Sequence, residues 1–326
     1  MTSPSLLEQP LPKATRRKQG SLHRIGLPLL LFAVTMLTTT AIGMRYMLNF
    51  SRGNPLLADD DDILPYVWVF HHLGDLKSGL PFSLTLVTIL LAHEFGHYFA
   101  CRYCSVKSTL PYLLPAPTLS GTFGAVIRLQ SVIRSRAALI VIGASGPIVG
   151  FIVALATVAI GLALSTYSST PITSKVQAPL TIVAIHAILG HVSGVHVPPL
   201  DLIVPHPVLI ASWIGLLITA LNLIPAGQLD GGHILYAISP EFHRWSSRIV
   251  VALLFVLGVM NWAGWILWGI ILMLPAMRHP RVPETHDVKP WQYAMIPACF
   301  VILLMAGTFQ PFKGYGLIDM LTTFRR

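Results

Sequence analysis

The chain has 326 residues, of which 54% are hydrophobic and 11% charged, against roughly 25% charged in soluble domains; a soluble globule of this size is excluded. Lys and Arg number 22 against 13 Asp and Glu, a net charge of +9. Basic residues flanking apolar segments are what the positive-inside bias produces, so the excess does not imply nucleic acid. Three cysteines are too few for a disulfide framework, and Cys101 with Cys104 reads as helix packing.

In chain order, uncharged stretches cover 25–44, 137–174, 202–229, 249–277 and 290–312, while 78–101 carries Glu94 as its one formal charge. Each can cross ~30 Å of hydrocarbon as a helix, which takes about 20 residues. The sequence therefore predicts an all-α polytopic membrane protein of about six or more transmembrane helices. Lys13, Arg16, Arg17, Lys18 and Arg24 make residues 1–24 a basic cytoplasmic tail before a retained first span, Ile25 to Met44, rather than a cleaved signal. Asp59 to Asp62 and Asp75 assign the following connection to the outside. The second span is expected over about Pro81 to Tyr103.

Arg102, Lys107, Arg128, Arg134 and Arg136 then form an acid-free, cytoplasmic region. Within it, 105–136 is too rich in polar residues, Pro and Gly for a span, and Phe123 to Leu129 alternates as a short strand or hairpin does. The third span begins near Ala137 and contains GASGPIVG, small residues that let helices approach closely. Thr170 to Pro205 reads as a surface or half-inserted helix. A fourth span runs from near His206 to a Pro-Gly break at Pro225 and Gly227. Ile249 to Met277 is one tilted helix or two turning at Asn261; the charge rule favours the hairpin. The last span is Trp291 to Thr308. The resulting organisation is a tail (1–24), a first helix with an acidic external loop (25–76), a membrane-embedded core (77–277), and a cytoplasmic connection with a C-terminal helix (278–326).

The chemistry lies in the second span, where His93, Glu94 and His97 fulfil H-E-x-x-H. Positions i and i+4 share a helix face, so two imidazoles can hold one metal while the adjacent glutamate serves metal-activated water. A carboxylate within a membrane helix costs ~2.5 kcal/mol or more and is retained for function or for a partner. A catalytic zinc needs a third protein ligand and an open position. Asp230 is the candidate, an acid following a long uncharged span in which Pro225 breaks the helix and Gly227, Gly231 and Gly232 permit a turn. Asn222 is either a buried interhelical hydrogen bonder or a substrate-orienting amide. Ser120 to Gln130 either offers an unpaired strand edge to an unwound substrate, with Gly121 and Gly124 permitting close approach and Val126 on the edge, or is a hairpin that plugs the active site from the cytoplasm. His71, His72, His186, His191 and His196 lack the HxxHH box of a membrane di-iron oxygenase and read as solvated or cap-forming. An intact Glu94 disfavours a zinc-holding scaffold without catalysis.

Taken together, HEFGHYFACRYCSV, TLPYLLPAP, SGTFGAVIRLQS, GASGPIVG and NLIPAGQLDGGH resemble the site-2 protease family of intramembrane zinc metalloproteases. Within it they are most similar to the bacterial and chloroplast branch related to the ethylene-dependent gravitropism-deficient proteins. The resemblance covers about Pro81 to His233. It implies Zn2+ held by His93, His97 and Asp230, Glu94 as catalytic base and then acid, and Asn222 and Pro225 matching the family's Asn and Pro before the ligand aspartate. It implies cleavage within or beside the membrane segment of a transmembrane protein substrate in a lipid bilayer. The expected location is a bacterial inner membrane, or alternatively a chloroplast membrane. A HPRVP run, His279 to Pro283, is similar to a short motif of this branch with no chemistry assigned to it.

Overall fold

The computed structural model describes residues 21–56, 66–172, 175–193, 198–282 and 288–323. The basic tail before residue 21 and the aspartates at 59–62 lie outside the described residues, as does His196. Helix α1 spans Ser21–Ser51, and a short α2, Tyr66–His71, leads through a 3-10 turn at Leu73–Gly79 into α3, Leu80–Tyr103. A two-stranded antiparallel hairpin follows, β1 at Tyr112–Pro115 and β2 at Thr122–Val126, with Tyr112 opposite Val126. Then come α4, Arg136–Leu164, the two-residue strand β3, Thr166–Tyr167, and α5, Leu180–Ser193. Strand β4, Ile203–Val204, pairs with β3, ahead of α6, Pro207–Asn222, and α7, Asp230–Ile238. The chain closes with α8, Pro240–Met260, α9, Gly264–Met273, α10, Pro290–Ala306, and α11, Leu317–Thr323.

Among the described residues, four helices are long and apolar enough to cross a membrane: 26–51, 73–103, 136–164 and 240–260. α5, α6, α9 and α10 are apolar but shorter; at 1.5 Å per residue, the 16 residues of α6 reach about 24 Å. Leu29, Leu30, Leu37, Ile152, Ile249, Val256, Leu267 and Phe300 stand exposed on the outer faces of α1, α4, α8, α9 and α10. So broad an apolar surface is stable against lipid rather than water, and the chain is a polytopic helical membrane protein.

Two boundaries depart from the sequence expectation, and in each a charged residue marked a false end. α1 runs past Met44 through Arg45, which is buried (4% exposed) with its guanidinium 5.2 Å from the Trp68 ring. α8 starts at Pro240, so Glu241, Arg244 and Arg248 occupy its first turns. Ile249 to Met277 agrees with the favoured hairpin: it is two helices, with Asn261 capping the first and Trp262 in the turn between them. α5 agrees with the short helix expected between Thr170 and Pro205.

The core forms where α3 packs against α1, α4 and α6, centred on Ile42, Tyr46, Phe82, Leu86, Leu90, Ala154, Val158 and Leu216. Thr39 Oγ1 and Ser83 Oγ share a hydrogen bond of 2.6 Å between α1 and α3, the kind of polar contact that adheres helices where lipid supplies no hydrophobic drive. The hairpin turn is moored on α1. Thr38 Oγ1 donates to the carbonyl of Gly121 at 2.7 Å, and Tyr46 Oη donates to that of Leu119 at 2.6 Å.

Candidate metal centre

α3 reaches the middle of the bundle with His93, Glu94 and His97 buried, at 4%, 5% and 6% exposure. Their ligand atoms lie within 4.8 Å of one another. The fourth residue arrives from the break after α6. That helix stops at Asn222, three residues ahead of Pro225, and Gly227 takes φ +58°, a left-handed turn that costs glycine little. The turn re-aims the chain so that Asp230 opens α7. Asp230 Oδ2 stands 3.2 Å from His93 Nε2 and 3.3 Å from His97 Nε2, and the two Nε2 atoms are 3.1 Å apart.

These separations test whether a zinc ion fits. Tetrahedral bonds of about 2.0–2.1 Å place ligand atoms about 3.3 Å from one another, close to the three edges observed. His97 Nδ1–H donates to the carbonyl of Ile142 at 2.7 Å, which leaves a lone pair on Nε2 in the neutral ring and fixes the tautomer as a carbonyl behind a ligating histidine does. A lone pair on His97 Nε2 and a carboxylate oxygen of Asp230 3.3 Å apart face each other as two ligands of one cation do. Two imidazoles and one carboxylate are also the donor set of a catalytic zinc.

α4 forms the wall beside this site. A Cβ at Gly146 would overlap His97 Nε2, and one at Gly150 would lie 3.0 Å from His93 Cβ. The order is reversed because α3 and α4 run antiparallel. The small residues of GASGPIVG thus do more than let two helices approach: the absent side chains are the space the imidazoles occupy. The sequence held a signal for this, since Gly146 and Gly150 repeat the four-residue step of His93 and His97.

The other singled-out residues divide. Asn222 Nδ2 lies 3.4 Å from His93 Nε2, at the edge of the centre. The backbone N–H of Ile127, one residue beyond β2, donates to the Glu94 carboxylate, which brings the end of the hairpin to the site. Gly124, at φ +105°, faces open space, and Val126 is 45% exposed. Gly121 differs from its reading as a substrate approach: at φ +75° its Cβ position is filled by the backbone of Thr38 and Thr39, so its close approach is to α1. His72, His186 and His191 each bond a backbone carbonyl, of Trp68, Pro198 and Ala187, and His71 is exposed; none of these joins the His93 cluster.

The family model for peptidase family M50 matches residues 81–260, more than half of the chain. Among curated relatives, the probable zinc metalloprotease EGY1, chloroplastic, of Arabidopsis thaliana is 26% identical over 305 residues, covering 87% of this chain and 53% of its own length. Its counterpart of the same name in Oryza sativa subsp. japonica is 28% identical over 303 residues, covering 87% and 50%. The probable zinc metalloprotease EGY2, chloroplastic, of Arabidopsis thaliana is 28% identical over 240 residues, covering 73% and 42%. The chain spans about half the length of the curated relatives it matches.

Proposed function

Because the chain belongs to peptidase family M50, we propose that it is an intramembrane zinc metalloprotease, hydrolysing a peptide bond in or beside the membrane segment of another protein. The observation that carries this reading is the convergence of His93 Nε2, His97 Nε2 and Asp230 Oδ2 at 3.1 to 3.3 Å beside a buried Glu94. His93, His97 and Asp230 hold the metal, which when bound supplies Lewis-acid polarisation and a water with pKa near 7. Glu94 takes the proton of the attacking water and returns it to the leaving amine. Asn222 orients the scissile carbonyl from the rim.

Amides inside a substrate helix are already hydrogen-bonded, so the substrate unwinds locally, and β2 supplies an edge to hold the released strand with Gly124 and Val126 facing it. Irregular backbone at membrane depth is tolerated where it is buried in protein or lines a cavity, and the turn after Asn222 is covered by protein at Leu223, Ala226 and Gly227. Val126→Pro removes a backbone donor without adding charge. It is expected to lower cleavage about tenfold while zinc content stays normal; cleavage at the wild-type rate would remove strand addition from the reading. Ile127→Pro would also take a hydrogen bond from Glu94 and so reports on two steps at once.

The partners are a transmembrane substrate and the bilayer. The division into tail, first helix with external loop, core and C-terminal region follows the sequence boundaries at 24, 76 and 277. The amino terminus and the connection between α3 and α4 face the cytoplasmic side by their basic residues. A thiol introduced at Gln19 should be labelled only from that side and one at Asp60 only from the other; the reverse pattern inverts the topology. The curated relatives are chloroplastic by name, which supports a chloroplast-type membrane over the bacterial inner membrane.

The test is a comparison of membrane-protein fragments between cells carrying the wild-type chain and cells carrying Glu94→Gln, followed by cleavage of the affected protein by purified enzyme in detergent with a chelator-treated control. Fragments dependent on both Glu94 and metal are expected. Identical fragment sets, or cleavage unaffected by metal removal, would end the proposal.

A further inference from the structure

Asp230 sits at the first position of a nine-residue helix whose preceding residue, Leu229, makes no side-chain cap. So short a helix has little stability of its own, and its position is set by what grips it. One grip comes from residues 276–282 between α9 and α10, which include the HPRV run. Gln228 Nε2 donates to the carbonyls of Ala276 and Arg278, both at 2.7 Å, two residues before Asp230. Three residues after it, His233 Nδ1 and His279 Nε2 are 2.8 Å apart. The His279 ring stacks on Tyr236 of α7 at 3.9 Å with a 12° tilt, and Tyr236 Oη accepts from the Val282 N–H at 3.4 Å.

The proton positions in this chain are determined. His279 Nδ1 lies 2.7 Å from the carbonyl of Pro280, an acceptor only, so Nδ1 carries the hydrogen. Burial, with the His233 ring beside it, pushes His279 down to about 4, and the ring is neutral at pH 7. Its Nε2 is then a lone pair, which accepts from His233 Nδ1–H. The series runs from His233 through His279 to the Pro280 carbonyl, every group in it is satisfied, and it ties α7 to the 276–282 segment.

We propose that His279, seconded by Gln228, is a positioning residue of the metal centre: the 276–282 segment clamps the chain on both sides of Asp230 and so fixes where its carboxylate stands. This rests on Asp230 being a metal ligand. α4 holds the opposite side, where Gly143 approaches the backbone of Asp230, so Asp230 is seated between α4 and the clamp.

The test uses the full chain purified in detergent and Zn2+ itself as the probe, with affinity measured by competition against a chromophoric chelator and unfolding of the metal-free forms followed in parallel. His279→Ala is expected to weaken zinc binding about tenfold, within the range for groups that support metal ligands, with the metal-free melting temperature little changed. His279→Gln, whose amide oxygen accepts from His233 Nδ1–H, is expected to restore most of the loss, and Gln228→Ala to shift affinity in the same direction as His279→Ala. Gln228→Ala carries the test if His279→Ala does not fold. Wild-type affinity in both alanine variants, while Asp230→Asn loses the metal, overturns the clamp and leaves the ligand assignment standing; so does failure of His279→Gln to rescue. Wild-type affinity in Asp230→Asn overturns the ligand assignment and the clamp with it.

Discussion

Glu94→Gln is expected to keep about one zinc per chain and to lose cleavage by ~10³-fold or more, within the range of a general acid–base residue. Glutamine preserves the shape and keeps an oxygen to accept from the Ile127 N–H, so the end of the hairpin stays seated. What it cannot do is take a proton from water and hand it to an amine. In the proposed centre the ligands are His93, His97 and Asp230, whose donor atoms approach one another without Glu94, and that separation of roles is what the variant tests. Metal content by mass spectrometry and turnover on the same preparation decide it: a Glu94→Gln enzyme as active as wild type, or a wild type that folds and cleaves without metal, rejects the assignment. A second control is Glu94→Ala, which opens space beside Ile127. It should fall at least as far as the glutamine variant, because the step lost is the same.

Much of this arrangement is legible in the sequence because it depends on local spacing. His93 and His97 meet because a helix brings i and i+4 to one face, and a carboxylate between them within an apolar run is too costly to be incidental. Asp230 stands out as an acid beyond a long uncharged span with Pro225 in between, and the chain turns there at Gly227 as proline and glycine together dictate. The boundaries were harder because charge was the ruler. Arg45 is covered by protein and Trp68 rather than marking the water, and Arg244 and Arg248 ride the first turns of α8. Pairings distant in sequence carry no local signal: Gly121 fits the backbone of Thr38 from 83 residues away, and His279 meets His233 across 46. The hairpin falls between these cases. Alternation revealed β2, whereas β1, Tyr112–Pro115, is a strand only because it pairs with β2.

Gly146→Ala is expected to lose the metal and, with it, at least a hundredfold in activity, whereas Gly150→Ala is expected to lose far less. Both replacements add the same methyl to the same helix, and alanine is favoured over glycine in a helix interior by about 1 kcal/mol, so helix propensity works against a defect in either variant. The difference lies in what each Cβ meets. At Gly146 it would occupy the place of His97 Nε2, the atom that faces Asp230 and His93, and His97 cannot swing aside without giving up the hydrogen bond from Nδ1 to Ile142. At Gly150 it would stand 3.0 Å from His93 Cβ and 3.2 Å from Nδ1, contacts that a few tenths of an ångström of helix adjustment relieve. Zinc content after purification separates the two from a general packing defect, because a packing defect lowers the melting temperature of the metal-free protein while a blocked site lowers only metal occupancy. Full zinc and full activity in Gly146→Ala would mean that α4 does not line the centre as described, and that the four-residue step it shares with α3 serves helix packing alone.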